Sequence, residues 1–441
     1  MQDFVSPLLP YLKYGIREVV DTAAKIKELD PSYEFVWENI GDPVAKGWPV
    51  PQFLKDLISQ EIAKPGDSVF GYAHSRGNLA ARQWVAEQAQ HLAPSAKLTP
   101  DDVLFTSGLG SVIAMLYQML KPGSRVLQPA PAYPTHSSFE SFAAGAPPLA
   151  YRLDPEHEWQ PDLEHLETML DKHPEVVGVL IINPNNPTGA VYSLEILERI
   201  VALVEKRGLF IISDEVYFRM VFNGHKHVHV SELAANRVPL MVLRGLSKDM
   251  PWPGGRSGWV EFHNTELYPA FQAYAAAVQQ RVLLEVCSTT LPQTILPQLY
   301  DHPDFLAWSK HYNAGLKEAA DEIFDLLSSV PELLINRTNG AFYMMPLFRE
   351  GVLNARQTLP IANARVREFI EEVVSQPYFP LDKRFTYYLL AATGIVIVPA
   401  SDFYSPYPGF RLTTLDRDPV RRRATYTKLV QAIREYLESS A

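Results

Sequence analysis

The feature that most constrains this chain is the alternation of short, mainly apolar runs with longer stretches of helical spacing. The runs "VLFTS", "VVGVLIIN", "LFIISDEV", "LMVLRGL" and "SGWVEF" are separated by patterns such as "GSVIAMLYQMLKPG" and "SLEILERIVALVEKRG". Runs that are apolar on both faces predict strands covered by helices, hence an α/β architecture with a mainly parallel sheet and helical crossovers. From about residue 303 the texture changes. Long helical patterns ("HPDFLAWSKHYNAGLKEAADEIFDLLSSV", "PIANARVREFIEEVV") frame fewer strands ("ELLINR", "AFYMMPLF", "GIVIVPAS", "FRLTTL"). This predicts a large domain over 51–302 and a smaller α+β domain over 303–441, with segment 1–50 packing beside the smaller one. A chain of 441 residues is long enough for both.

Charge and composition exclude several classes. A net charge of −10 argues against a nucleic-acid surface, and the basic run "RDPVRRRATYTKLV" reads as the solvated face of a terminal helix. Cys287 is the only cysteine, so no intrachain disulfide forms and a reducing compartment fits. The start "MQDFVSPLLPYLKYG" lacks a basic segment followed by a long apolar one, and no uninterrupted apolar stretch is long enough to span a membrane. The expectation is a soluble, cytoplasmic protein. The 36 prolines are scattered at turns instead of gathered in a linker, and no internal repeat is present.

Three apolar runs end in polar groups. "INPNNPTG" (Ile182 to Gly189) follows one strand, and its prolines make a rigid turn that fixes the asparagine amides. "SDEVY" ends the next, placing Asp214 and Tyr217 beside that turn, and Lys248 follows the one after. The strand ends of an open α/β sheet are where ligands bind. Amide, carboxylate, phenol and amine at three successive strand ends form a constellation, and a buried carboxylate such as Asp214 is costly unless paired. A Pro/Gly turn then separates Lys248 from a second cation, Arg256, eight residues on. "TSGLGSVIAML" offers a further element, a Gly-containing turn opening a helix, whose free N–H groups and dipole favour an anion.

In order along the chain stand "GDP" at Gly41, "YAHSRG" at Tyr72, "SGLG" at Ser107, "NNPTG", "DEVY", "SK" with Arg256 eight residues on, and "GFR" ending at Arg411. Together they resemble the class I/II aminotransferases of the aspartate aminotransferase fold, which depend on pyridoxal 5′-phosphate (PLP). The resemblance covers nearly the whole chain. It implies a large PLP-binding domain with a mainly parallel seven-stranded sheet sandwiched by helices. It also implies a smaller α+β domain built from both termini, and a homodimer with a shared active site. The implied reaction moves an amino group from an L-amino acid to a 2-oxo acid.

The resemblance also implies roles for residues. Lys248 would form the Schiff base with PLP and carry the proton. Asp214 would pair with the pyridine nitrogen, and Tyr217 and Asn186 would hydrogen-bond the ring's 3′-oxygen. Gly108, Leu109 and Gly110, with Arg256 and Ser247, would hold the phosphate. Tyr133 would stack on the ring, and Tyr72 would reach the phosphate of a neighbouring subunit. Arg411 would clamp the substrate carboxylate, a task suited to a planar guanidinium, helped by Asn186 and the backbone at Gly41.

Two departures stand out. Gly245 occupies the position three before the lysine where a phosphate-binding serine is common, leaving Ser247 as the nearest hydroxyl. The arginine that binds a distal carboxylate in aspartate aminotransferases would fall near Leu284, where Arg281 is the nearest cation, so aspartate specificity is not supported. A β-lyase, decarboxylase or amino-acid oxidase would share Lys248, Asp214 and Arg411. A regulator of the kind that carries an aminotransferase-like domain would need a basic winged-helix segment, whereas the residues before Gly41 read as one amphipathic helix. The histidines of "HKHVHV" (His225 to Val230) read as a solvated loop or strand face, with no metal expected.

Overall fold

The computed structural model describes residues 4–439. A central sheet is built from β1 (Val103–Thr106), β2 (Arg125–Ala130), β3 (Ala150–Asp154), β4 (Gln160–Pro161), β5 (Val176–Ile182), β6 (Phe210–Asp214), β7 (Leu240–Gly245) and β8 (Gly258–His263). Their spatial order is β1-β8-β7-β6-β5-β2-β3-β4. Pairings β3/β2, β2/β5, β5/β6 and β6/β7 are parallel, whereas β8 and β4 run antiparallel to their neighbours. The sheet therefore has eight strands where the family resemblance implies seven. The added strand is β4, two residues that fold back after the turn at Pro155–His157 and pair with Leu153 and Asp154.

Consecutive residues of one strand go to opposite cores, which explains why the runs are apolar throughout. Val179 and Ile181 of β5 pack with Leu197, Ile200, Val201 and Val204 of the helix Leu194–Arg207. Leu180 and Ile182 face the other way, onto Val112, Ile113 and Leu116 of the helix Leu109–Gln118. All four β5 side chains are at most 1% exposed. Each such burial contributes roughly 1.5–3 kcal/mol relative to solvent. The helix Leu194–Arg207 starts at Ser193, whose hydroxyl accepts from the Ile196 N–H, and stops at Gly208 with φ +65°.

The N-terminal helix, Gly15–Leu29, buries Ile16, Val19, Ala23 and Ile26 in the same core as Phe385, Leu389, Leu390 and Val398. The short strand Val36–Trp37 pairs in parallel with Ile395–Val396. The strand Phe410–Thr413 lies between Tyr343–Met344 and Val398–Pro399, antiparallel to both. Helix Gly15–Leu29 and the C-terminal elements thus pack in one cluster that continues into β5 and the helix Leu194–Arg207, and Asn39, Gly41 and Arg411 line a cavity with the ends of the large sheet's strands. Among the described residues no helix is long and apolar enough to cross a membrane.

Candidate active site

β5, β6 and β7 end side by side, and their ends open into a cavity of about 280 Å³. Eleven of the residues singled out from the sequence line it: Gly41, Leu109, Gly110, Tyr133, Asn186, Asp214, Tyr217, Ser247, Lys248, Arg256 and Arg411. Gly108 stands immediately behind them as the N-cap of the helix Leu109–Gln118, with φ +84°. A Cβ there would lie 2.6 Å from Arg256 Nη2, so glycine is required both by conformation and by the close approach of the guanidinium. Arg256 donates to the Ser107 carbonyl at 3.3 Å. The opening turn of a helix and a guanidinium thus converge on one corner of the cavity.

Asp214 lies at the buried side. Its Oδ1 accepts from the Val216 N–H at 3.2 Å, and His136 Nε2 is 3.1 Å from Oδ2. The Tyr117 hydroxyl is 3.2 Å from His136 Nδ1. An ionised carboxylate only accepts, so Nε2 carries the proton toward Asp214 and Nδ1 receives the tyrosine. His136 was not identified from the sequence. It lies three residues after Tyr133, one turn into the helix Pro134–Ala144, and only the fold turns it toward the carboxylate.

Lys248 Nζ donates to the Gly41 carbonyl at 3.1 Å and stands 5.7 Å from the Phe342 ring. The Tyr217 hydroxyl donates to the Tyr343 hydroxyl at 3.2 Å, and burial, then the neighbouring Tyr343, push the Tyr217 phenol well above its ordinary value. Tyr343 is a second residue the sequence did not reveal, since it sits in an apolar run that reads as core. It fits only because residue 41 is glycine: a Cβ at Gly41 would lie 2.1 Å from the Tyr343 hydroxyl.

Arg411 is 1% exposed, and among the described residues no carboxylate pairs with it. Nη1 donates to Asn186 Oδ1 at 3.4 Å, and Nη2 donates to the Asn39 carbonyl. Its guanidinium lies 4.6 Å from the Tyr343 ring and 4.8 Å from the Phe403 ring, while Nε has no partner. Burial lowers its pKa, and the surrounding tyrosines do not offset this. A guanidinium so placed is costly unless an anion joins it.

Two sequence candidates lie elsewhere. Tyr72 is 86% exposed and absent from the cavity lining, as is Arg281, whose Nη1 pairs with Glu285 at 3.5 Å. The absence of a side chain at Gly245 has a steric reason, because a Cβ there would meet the Ser257 carbonyl oxygen at 2.9 Å across the β7/β8 pair. The N-terminal segment adds Tyr14, Ile16, Arg17, Val20 and Ile40 to the cavity lining.

The histidine run departs from expectation. His225 is exposed, but His227 and His229 turn inward, with ring nitrogens 3.3 and 3.5 Å from Glu215 Oε2. The reason is electrostatic: Glu215 is wholly buried, and a buried carboxylate recruits donors. Glu215, His227 and His229 are metal-ligand types lying close together. Arg244 Nη2, however, reaches into the group, 2.8 Å from Glu215 Oε2 and 3.3 Å from His229 Nδ1, so a guanidinium supplies the positive charge there.

The fold thus brings a half-buried lysine, a buried carboxylate and a buried arginine to one cavity. The comparisons name the family: the profile of "Aminotransferase class I and II" matches residues 40–425, and the chain belongs to that family. It is 41% identical over 428 residues to an uncharacterized aminotransferase of Methanocaldococcus jannaschii, covering 97% of each chain. It is 35% identical over 223 residues, half of each chain, to an alanine aminotransferase of Mycobacterium tuberculosis. Among solved structures, alanine aminotransferase from Pyrococcus furiosus superposes with a TM-score of 0.83 at 25% identity, covering 98% of this chain and all of that one. The protein is a transaminase, and its family uses PLP.

Proposed function

We propose that the cavity binds PLP and passes an amino group from a small L-amino acid to a 2-oxo acid, with Lys248 as the essential amine. The observation that carries this reading is Arg411, a fully buried guanidinium with no carboxylate partner, facing the same cavity as Lys248. When bound, PLP supplies an aldehyde to join the amine and a ring that accepts the electrons released at the substrate Cα. The residues present fit such a group. Arg256 and the N–H groups of Leu109 and Gly110 suit a phosphate; Asp214, oriented by His136, suits a protonated ring nitrogen. Tyr217, Asn186 and Tyr133 would complete the cradle, with Ser247 the nearest hydroxyl to the lysine.

The remaining steps belong to the chain's own side chains. Arg411 and Asn186 would hold the substrate α-carboxylate, fixing the Cα–H toward Lys248. Lys248 Nζ, kept in place by the Gly41 carbonyl, would take that proton and return it. Because Gly41 and Arg411 line the cavity from the terminal segments, closure of 1–50 with 303–441 over 51–302 would exclude water.

Three further points refine the reading. The relatives named as alanine aminotransferases, and the glutamate-pyruvate aminotransferase AlaA of Escherichia coli (25% identical over 92% of this chain), support alanine as donor. The N-terminal part of the lining, with Ile16, Val20 and Ile40 beside the exposed Arg17, suits a pair in which one partner is apolar and the other carries a second carboxylate. Exposed Phe70, Tyr72 and Leu284 support a homodimer in which Tyr72 serves the neighbouring site. The test is an absorption spectrum of the PLP-loaded protein during addition of single L-amino acids without oxo acid. The expected result is loss of the yellow band to the pyridoxamine form with alanine or glutamate, and no yellow band at all in Lys248→Ala. A Lys248→Ala protein that keeps the band, or a wild type that no amino acid discharges, would sink the reading.

A further inference from the structure

The residue after the lysine points the other way. Leu246, Asp249 and Met250 are all buried, so the irregular segment that follows β7 is held by three inward side chains, one of them a carboxylate. Leu246 and Met250 join an apolar cluster with Trp84, Trp259, Leu299, Tyr300 and Phe305. Asp249 enters the same region, where a leucine or asparagine would cost less. Burial pushes its carboxyl up to about 6, against the opposing pull of Arg219 and Tyr300.

Its partners explain the placement. Asp249 Oδ2 accepts from the Tyr300 hydroxyl at 2.9 Å and lies 3.4 Å from Arg219 Nε. Tyr300 ends the helix Thr290–Tyr300, and Arg219 belongs to the turn that follows Asp214 and carries Tyr217. The Arg219 guanidinium is itself wedged between rings, 4.7 Å from Phe218, 4.8 Å from Tyr300 and 5.4 Å from Phe305. Its backbone carbonyl accepts from Asn313 Nδ2 at 2.8 Å. One carboxylate therefore ties the lysine's segment to the neighbouring strand end and to a helix behind both.

We propose that Asp249 is a positioning residue for Lys248, fixing the amine relative to Asp214 and Tyr217 through its ion pair with Arg219 and its hydrogen bond from Tyr300. The inference rests on the reading of Lys248 as the reacting amine. Backbone displacement of about 1 Å at a reacting group can cost roughly 10²-fold in rate, which sets the size of effect to look for. Direct contact with the substrate is not required, since Asp249 lies behind the segment and does not line the cavity.

The test uses Asp249→Asn, Tyr300→Phe and Arg219→Gln in the full chain, with three readouts. The first is the rate of PLP uptake by the apo-protein. The second is the pH at which the yellow band of the loaded protein titrates, and the third is kcat against KM for the half-reaction. Asp249→Asn is expected to fold, to take up PLP at least ten-fold more slowly, to shift the titration of the band, and to lower kcat about 10²-fold with KM little changed. Arg219→Gln should act in the same direction, and the double variant should be no worse than Asp249→Asn alone. If Asp249→Asn does not fold, Tyr300→Phe decides, because it removes one hydrogen bond and leaves the ion pair; a smaller shift of the same sign is expected. Uptake, titration and kcat within two-fold of wild type in the folded variants would overturn the proposal. Lys248→Ala separates the two failures: if it keeps the yellow band, the reading of Lys248 falls first, whatever Asp249 does.

Discussion

Among the described residues Arg244, Arg411 and Arg422 are at most 3% exposed, and the first two are treated in opposite ways. Arg244, in β7, faces two carboxylates: Nη2 reaches Glu215 at 2.8 Å and Nη1 reaches Glu261 at 3.0 Å. Burial works against its charge, but Glu261 and Glu215 outweigh that and raise its pKa. Arg411 has carbonyl, amide and ring neighbours only, and its pKa is lowered. Both leave Nε without a partner, so a single orphaned atom does not distinguish them; the difference is the counter-charge. A cation whose counter-charge is built into the chain holds the fold. One that lacks it is placed for a ligand.

The comparison breaks most visibly at Arg244. Arg244→Met would leave Glu215 and Glu261 facing each other across His229 and His263 with no guanidinium between them. Removing one partner of a buried pair costs about 3–5 kcal/mol, so urea unfolding should show a loss of that size. The triple variant Arg244→Met, Glu215→Gln, Glu261→Gln should recover most of it. A single variant as stable as wild type would mean that the network contributes nothing to the fold.

Arg411→Met should do the reverse. No internal carboxylate is orphaned, and an apolar chain of similar length replaces a costly charge, so stability is expected to hold or rise. Catalysis should fall by about 10²–10³-fold, roughly 3–4 kcal/mol, the usual cost of truncating one side of a buried charge pair. Most of the loss should appear in kcat/KM for carboxylate-bearing amines, with little for an amine lacking a carboxylate. Loss of stability in Arg411→Met with retained activity would put both arginines in the same class.

How much of this was legible beforehand depends on distance along the chain. Asn186, Asp214, Tyr217 and Lys248 stand at the ends of apolar runs, where local pattern and strand-end geometry coincide, and the cavity gathers them. Arg244, inside "LMVLRGL", drew no reading, because its meaning depends on Glu261, 17 residues away on β8. His136 and Tyr343 act across folds of the chain that no local pattern reports. Tyr343 in particular is indistinguishable from core until Gly41 opens a place for it. The alternating histidines suggested a solvated loop or strand face; the segment is a loop, but Glu215 turns two of them inward. The eighth strand escaped because two residues carry no periodicity.

The smallest effect concerns protons and tests the interior network alone. Burial holds His227 below its usual 6.5, against the pull of Glu215, so the native state keeps it neutral where the unfolded chain would begin to charge it. The unfolded state then binds more protons below pH 6.5, and stability should fall as the pH drops from there, by at most about 1.4 kcal/mol per pH unit. Glu215 and Glu261 are held below the ordinary 4.5 despite burial, Arg244 being the chief opposing charge, so their contribution is lost only as pH falls past that value. Asp249 runs the other way: with its folded value near 6 and a lower one unfolded, its protonation favours the native state as pH falls toward 4. Those opposed slopes overlap between pH 4 and 6. Denaturant titrations of His227→Gln should therefore be made in Asp249→Asn, where the histidine slope is expected to vanish while activity relative to the Asp249→Asn parent changes little. A slope that persists would mean that His227 is not the titrating group, and a fall in activity would tie the network to the cavity in front of it.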